Sequence, residues 1–331
     1  MEFRVISQEK GSYKIADFTG EDHKEYRAEV SGKFMHEANS AEDYPTVGDY
    51  VLAETGTNRE DVAIISSVLP RKSIFLRRAA GTARNMQAVA ANIDTVFICM
   101  SLNKDFNVRR LERYLAATWD SGAMPVVVLT KSDLCQDRAE REEKIIRAEQ
   151  AAIGADIVCT SAKEGETEGL APYLVPGKTI AFVGSSGVGK SSLINKITGT
   201  TDFAVNGLRK DDKGRHTTTR RQLVQLPGGC MLIDTPGMRE LGMWDAEEGT
   251  AETFSDIEEL AKRCSYRNCT HSGEPGCAVG EAIERGILDE GRLKSYLKLK
   301  AENAYAEDSD SYLAAKEKKF KEIAKINRRR K

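Results

Sequence analysis

The sequence predicts a multidomain α/β protein: a small N-terminal β-barrel, a central doubly wound α/β domain and a mostly helical C-terminal domain. Three observations carry that expectation. Residues 1–76 hold short strand-like runs separated by Gly-, Asn- and Asp-containing turns. From about 85 to 245, short continuous apolar runs alternate with stretches of helical length, as buried parallel strands and their crossover helices do. Beyond about 250 come helix-like segments rich in Lys and Glu around a Cys/His cluster. A chain of 331 residues suits two or three domains at roughly 100–200 residues each. The expected limits are 1–76, 77–245 and 246–331.

In the first segment the runs are Tyr13–Ile15, Tyr26–Val30, Asp49–Ala53 and Val62–Val68, with Pro45-Thr46-Val47-Gly48-Asp49 as a turn feeding a strand. Five or so short strands in such a span suit an OB-fold, with a generic β-sandwich or an SH3-like barrel as alternatives. In the second, Thr95–Met100, Pro125–Leu129, Ile157–Thr160, Thr179–Val183 and Cys230–Ile233 read as strands buried on both faces. Val108–Trp119 and Asp137–Ala152 read as helices, and the alternation of Gln222–Leu226 as an edge strand.

Composition excludes several classes. Apolar residues make up 40% and charged residues 30%, which is a folded, water-soluble balance. No apolar run approaches the ~18–20 residues of a membrane span. The start, MEFRVISQEKGSYK, lacks the pattern of a signal peptide, and seven cysteines, an odd count, argue for a reducing compartment such as the cytoplasm. The net charge of −2 hides an acidic first segment, nine Lys and Arg against fourteen Asp and Glu, and a tail from Lys316 to Lys331 with nine Lys and Arg against two Glu. That tail reads as a solvated helix face or as an RNA-phosphate contact.

Gly184-Ser185-Ser186-Gly187-Val188-Gly189-Lys190-Ser191 fits G-x-x-x-x-G-K-[ST] between an apolar strand and the helix-compatible run SSLINKITG, which starts with Ser191 and Ser192. The glycines let backbone amides wrap phosphates, Lys190 reaches the β- and γ-phosphates, and the Ser191 hydroxyl ligates Mg²⁺. About 45 residues on, an apolar strand ends in Asp234-Thr235-Pro236-Gly237, an Asp to hold Mg²⁺ through water and a glycine amide for the γ-phosphate. Between them lies Gly214-Arg215-His216-Thr217-Thr218-Thr219-Arg220, with Thr218 and Thr219 the candidates to complete the Mg²⁺ shell.

Thr130-Lys131-Ser132-Asp133 fits [NT]-K-x-D, whose carboxylate accepts from N1–H and the exocyclic amine of guanine while the Lys stem covers the ring. Thr in place of Asn at its first position removes an amide contact. Ser161-Ala162-Lys163, 31 residues after Thr130 at another strand end, offers an amide to the guanine O6. The elements of a GTP-binding domain are thus all present in cyclically rotated order, base-reading pair first. The segment after Gly237 then runs almost directly into the C-terminal domain, a route from γ-phosphate to partner surface.

Cys264-x₄-Cys269-x-His271-x₅-Cys277 sets three thiols and an imidazole within 14 residues. Four such ligands suit a closed, structural tetrahedral Zn²⁺. Cys99, Cys135, Cys159 and Cys230 lie in or beside apolar strands and read as core.

Taken together, TKSD, SAK, GSSGVGKS, GRHTTT and DTPG in this order, with the Cys/His spacing, resemble the ribosome-small-subunit-dependent GTPase A family (RsgA, also called YjeQ or YloQ). The resemblance covers nearly the whole chain. It implies an N-terminal OB-fold, a circularly permuted GTPase domain and one structural Zn²⁺. It also implies GTP hydrolysis with Mg²⁺, stimulated by the small ribosomal subunit during its late maturation in the bacterial cytoplasm. The expected partners are that subunit and its rRNA, with GTP and GDP, no membrane, and a monomeric state. Met238 follows DTPG where many GTPases carry a water-orienting Gln. His216 is then the candidate for that role, which the family comparison also suggests, or else a loop residue contacting RNA or protein. The other functional readings are a permuted GTPase acting on the large subunit, an RNA-binding adaptor whose nucleotide site only stabilises the fold, and an ATP-using P-loop protein, which Asp133 disfavours.

Overall fold

Period-two burial builds the first unit. The computed structural model describes residues 1–9, 11–18, 23–56, 62–78, 86–199, 222–234 and 247–307. Strands β1 (Glu2–Glu9), β2 (Ser12–Ala16), β3 (Glu25–Val30), β4 (Tyr50–Glu54) and β5 (Ala63–Val68) lie in the order β1-β2-β3-β5-β4. Pairing of Glu2, Phe3 and Arg4 with Leu52, Val51 and Tyr50 brings β4 back to β1 and closes the barrel. Its centre is filled by Phe3, Val5, Ile15, Val51 and Ile65. A short helix α1 (Gly32–Glu37), capped by the Ser31 hydroxyl accepting from Phe34 N at 3.1 Å, lies between β3 and β4. Of the small β architectures expected, this closed five-stranded form is the OB-like barrel. Four of its strands match the sequence reading. β1 escapes it because a bulge between Val5 and Ser7 and a buried Arg4 interrupt its alternation.

A two-stranded ribbon, β6 (Ile74–Arg78) and β7 (Met86–Ala91), leads from the barrel into the α/β domain. There β8 (Thr95–Ser101), β9 (Met124–Thr130), β10 (Asp156–Cys159), β11 (Thr179–Val183), β12 (Gln222–Gln225) and β13 (Met231–Asp234) form the order β10-β9-β8-β11-β13-β12. All these pairings are parallel except β12 with β13. Helices α2 (Val108–Asp120), α3 (Arg138–Ala151) and α4 (Lys190–Thr198) follow β8, β9 and β11. Alternate residues of β8 enter different cores, Val96, Ile98 and Met100 on one face and Phe97 and Cys99 on the other, as a doubly wound sheet requires. β12 ends this sheet, and its Gln222 pairs with Ser7 of β1, so the sheet continues into the barrel. Cys99, Cys135 and Cys230 are buried, whereas Cys159 on the outermost strand is half-buried. Burial pushes the Cys99 thiol up to about 12, which keeps it protonated and inert.

The barrel and the α/β domain share one core, because Ile6 and Val47 pack with Phe75, Val89 and Ile93. Above it the Arg4 guanidinium donates to Gly48 O at 2.8 Å, Tyr50 Oη at 2.6 Å, Asn92 O at 3.2 Å and Thr179 Oγ1 at 2.8 Å. One buried side chain therefore joins β1, β4, the β7–β8 corner and β11. Gly48 makes the approach possible: at φ +92 an added Cβ would lie 2.1 Å from Ala91 O.

Helices α5 (Glu247–Thr253), α6 (Ser255–Ala261), α7 (Ala278–Glu284) and α8 (Glu290–Glu307) form the C-terminal unit around Phe254, Ile257, Val279, Leu293 and Tyr296. It is mostly helical, as expected, and is fixed to α2 by charge. Fully buried Glu112 accepts from Arg109 at 3.1 Å and from Arg292 at 3.0 Å. Arg292 also donates to Asp256 at 2.8 and 2.9 Å and to Thr253 O at 2.8 Å. No helix among the described residues is long and apolar enough to cross a membrane.

Gly48→Ala combines an unfavourable φ with a backbone clash at this junction, so it should lower unfolding stability by at least about 2 kcal/mol. Urea unfolding measures this, and a midpoint equal to the parent's would refute the close approach.

Candidate active site and metal centre

Parallel strands deliver their C-terminal ends to one edge of a sheet, which is where doubly wound proteins bind ligands. β9 ends at Thr130, β11 at Val183 and β13 at Asp234, with β8 between β9 and β11. Residues separated by up to about a hundred positions in sequence thus meet at one rim.

The turn after β11 holds Gly184, Ser185, Ser186, Gly187, Val188 and Gly189, and α4 starts at Lys190 with Ser191 and Ser192 in its first turn. Gly184 sits at φ +137, and an added Cβ would lie 2.4 Å from Cys99 O, so only glycine lets the loop turn against β8. Among the described residues, no side chain caps α4. Its first amides are therefore available to an anion, and the helix dipole favours one there. Lys190 Nζ folds back over the loop, donating to Gly184 O at 2.5 Å and Ser185 O at 2.7 Å.

The turn after β9 is fastened to this loop. Thr130 Oγ1 donates to Val188 O at 2.6 Å, and Lys131 Nζ donates to Gly187 O at 2.6 Å. Lys131 adopts φ +57, which turns the chain sharply from strand into the 3₁₀ turn Ser132–Leu134. The Asp133 side chain is 8% exposed, accepts from Ser161 Oγ at 2.9 Å and has Lys163 Nζ 3.9 Å away. Ser161, Ala162 and Lys163 follow β10, whose end is held by Thr160 N donating to Leu129 O at 2.8 Å. The structure thus brings the Thr130–Asp133, Ser161–Lys163 and Gly184–Ser192 segments into one continuous hydrogen-bonded group. His216, Thr218, Thr219 and Gly237 lie outside the described residues, and of Asp234 the backbone alone is described, at the end of β13 beside β11.

Two residues of this rim were not anticipated. Asp105, in the β8–α2 turn, accepts from Ser185 Oγ at 3.0 Å and pairs with Arg110. Glu166 accepts from Ser132 Oγ at 3.3 Å and exchanges backbone bonds with Ser161. Neither belongs to a spacing motif; each is found through a tertiary contact alone.

The second site lies between α6 and α7. Cys264 follows α6, His271 adopts φ +58, and Cys277 caps α7 with its Sγ accepting from Gly280 N at 3.3 Å. The four candidate ligand atoms, from Cys264, Cys269, His271 and Cys277, lie within 4.8 Å of one another. Cys264 Sγ and Cys277 Sγ are 4.0 Å apart, and His271 Nδ1 is 3.7 and 3.5 Å from them. A tetrahedron with metal–sulfur bonds of about 2.3 Å has edges of about 3.5–3.8 Å, so the residues present fit one metal ion. The His271 loop is braced by Glu274, which accepts from Thr270 N at 2.9 Å and Ser272 N at 2.7 Å. The Thr270 hydroxyl and these amides hold its carboxyl at about 2.

Comparison with known proteins places this geometry. A family model described as RsgA GTPase matches residues 68–244. The small ribosomal subunit biogenesis GTPase RsgA 2 of Lactiplantibacillus plantarum is 47% identical over 304 residues, covering 91% of this chain and 83% of that protein. The crystal structure of YjeQ from Thermotoga maritima aligns with TM-score 0.66 at 28% identity, over 92% of this chain and 98% of that one. That of YloQ, described as a circularly permuted GTPase, aligns with TM-score 0.64 at 25% identity over 92% and 94%. With strand-end loops in rotated order, an OB-like barrel before them and a Cys₃His cluster behind, the chain belongs to the RsgA GTPase family.

Proposed function

We propose that this protein hydrolyses GTP to GDP and phosphate when stimulated by the small ribosomal subunit, and acts in late maturation of that subunit. The observation that carries the reading is the direct fastening of the Thr130–Asp133 turn to the Gly184–Ser191 loop. It fixes the distance between the base-reading carboxylate and the phosphate cradle through the protein's own bonds, which keeps down the ordering cost of binding. Family membership makes the chain a GTPase, and the name of the Lactiplantibacillus plantarum relative supports the subunit.

The residues take the following roles. Asp133 accepts from guanine N1–H and its amino group, Lys131 lies along the ring, and Ser161, holding Asp133 Oδ1 at 2.9 Å, orients that carboxylate. Ala162 and Lys163 present the amides facing the guanine O6. Gly184 to Gly189 and the first amides of α4 surround the phosphates. Lys190 exchanges its contacts with Gly184 O and Ser185 O for β- and γ-phosphate oxygens. Ser191, Asp234 and Thr218 or Thr219 would hold Mg²⁺, which supplies charge neutralisation across the β- and γ-phosphates. Gly237 faces the γ-phosphate, and His216 orients the attacking water in place of the Gln that Met238 displaces. Cys264, Cys269, His271 and Cys277 would hold one Zn²⁺ in a structural role, four protein ligands serving to fix the fold rather than to catalyse. The domains divide at 1–76, 77–245 and 246–331. The protein works as a cytoplasmic monomer, and rRNA is its nucleic-acid partner.

Turnover of GTP with purified small subunits, large subunits or neither tests the assignment: stimulation confined to small subunits is expected, and equal rates in all three would overturn it. His216→Ala should lose at least about a hundredfold of stimulated turnover with GTP affinity intact, within the range for one general acid–base or positioning group. Near-normal stimulated turnover would remove His216 from the mechanism. Asp133→Asn should shift preference from GTP toward XTP, and an unchanged GTP preference would count against the base-reading role. Metal analysis of the full chain should give one zinc, lost in Cys264→Ser, with α7 and α8 becoming protease-sensitive. Full zinc content in that variant would exclude Cys264 as a ligand.

A further inference from the structure

A cleft of about 220 Å³ opens between the barrel and the α/β domain, lined by Tyr50, Lys72, Asn92, Asp94, Pro176, Gly177 and Lys178. It lies at the strand-start end of the sheet, beside Thr95 and Thr179, whereas the nucleotide loops occupy the opposite rim. The proposed GTPase mechanism makes no use of it.

Its charge is unbalanced. Behind Tyr50 and Asn92 sits Arg4, 4% exposed, whose four acceptors are two carbonyls, a phenol and a hydroxyl, with no carboxylate among them. Its hydrogen bonds go only to neutral dipoles, and the carboxylates Asp94 and Asp49 act on its charge through space rather than by direct pairing. Burial lowers its pKa from the ordinary guanidinium value. At the cleft itself the lysines Lys72 and Lys178 face a single carboxylate, Asp94. That carboxylate is already engaged by Lys178 Nζ at 2.8 Å and Thr179 N at 2.9 Å. Tyr50 Oη accepts from Arg4 Nη1, which leaves the phenol proton for an acceptor outside that network. Asn92 is locked in place, its Nδ2 donating to Gly48 O at 3.1 Å and its Oδ1 accepting from Lys72 N at 2.9 Å.

We propose that this interdomain cleft binds a phosphate oxyanion, held by Lys72, Lys178 and the Tyr50 hydroxyl over the buried Arg4 charge. Two cationic donors and a neutral one around a cleft of this size suit a tetrahedral oxyanion, and Asp94 positions Lys178 for it. The occupant is either a free phosphate or one phosphodiester of a nucleic-acid backbone. A backbone phosphate there would contact the barrel through Tyr50 and the α/β domain through Lys178 at once.

The test is an amide NMR titration of the full chain saturated with GDP and Mg²⁺, so that the P-loop is filled. Inorganic phosphate is added first; a short unstructured RNA lacking a terminal phosphate is added separately. Saturable shifts at Lys72, Asn92 and Gly177 are expected with at least one of the two. They should weaken about tenfold or more in Lys72→Ala/Lys178→Ala, as expected for lost charge-assisted bonds. Tyr50→Phe, which keeps the ring over Arg4, should weaken them severalfold. Shifts with phosphate alone identify a free anion as the occupant. Shifts with RNA, whether or not phosphate competes, identify a backbone phosphate. Absence of shifts with both, or equal affinity in the double variant, overturns the proposal. The reporting amides are remote from Lys190, so a failure of the GTP reading would show separately, as absent GDP shifts at the P-loop.

Discussion

Everything at the nucleotide rim depends on the parallel register of four neighbouring strands. β9, β8, β11 and β13 run parallel from a common start, with β8 and β9 extending past the end of β11, so the turns that follow them converge on one edge whatever their order in the chain. That is why a rotated order of motifs leaves the site intact. Cyclic rotation moves the termini and the connecting loops, but it does not change which strand lies beside which. The Thr130–Val188 and Lys131–Gly187 bonds are the local expression of this register, joining turns 56 and 58 positions apart in sequence.

Around that sheet the other units are attached by buried charge as well as by apolar contact. Arg4 ties the barrel to β11 and the β7–β8 corner, and Glu112 with Arg292 ties the Cys/His unit to α2. Such groups stabilise little in net terms, since desolvation offsets most of the Coulomb gain, yet each is costly to leave without its partner. They therefore act as geometric pins, allowing one docking and penalising others. The α2 helix is well placed to feel both ends: the β8–α2 turn before it carries Asp105 against Ser185, and the helix itself carries Glu112 against the C-terminal unit.

Much of this was legible beforehand, for identifiable reasons. Strands β8, β9 and β11 are buried on both faces, so they read as unbroken apolar runs, and the phosphate loop needs glycine where its backbone turns against β8. The Cys/His cluster is local, with all four ligands within 14 residues, and spacing alone reveals it. β1 was harder to see because its buried Arg4 looks, in sequence, like a surface residue. The β6–β7 ribbon was also missed, since its apolar face is completed by residues of the barrel, Ile6 and Val47, rather than by its own period. Cys159 differs from its fellow core thiols because β10 is the outermost strand, a position in the sheet that no local pattern encodes.

The sequence by itself picked out the candidate segments, the Gly184–Ser191 loop, the Thr130–Asp133 turn and four Cys and His side chains with metal-ligand spacing, and it set them in rotated order. Those properties are carried by residue type at short spacing, where backbone geometry alone sets the distances. Tertiary structure decided what spans long separations. It placed Asp105 and Glu166 at the rim, made the barrel's closed form out of β1–β4 pairing, and set Arg4 behind a cleft with neutral groups as its hydrogen-bond acceptors. The physical reason is the same in each case: burial and electrostatic compensation are properties of the neighbours in space, and 175 positions separate Arg4 from the Thr179 hydroxyl it holds.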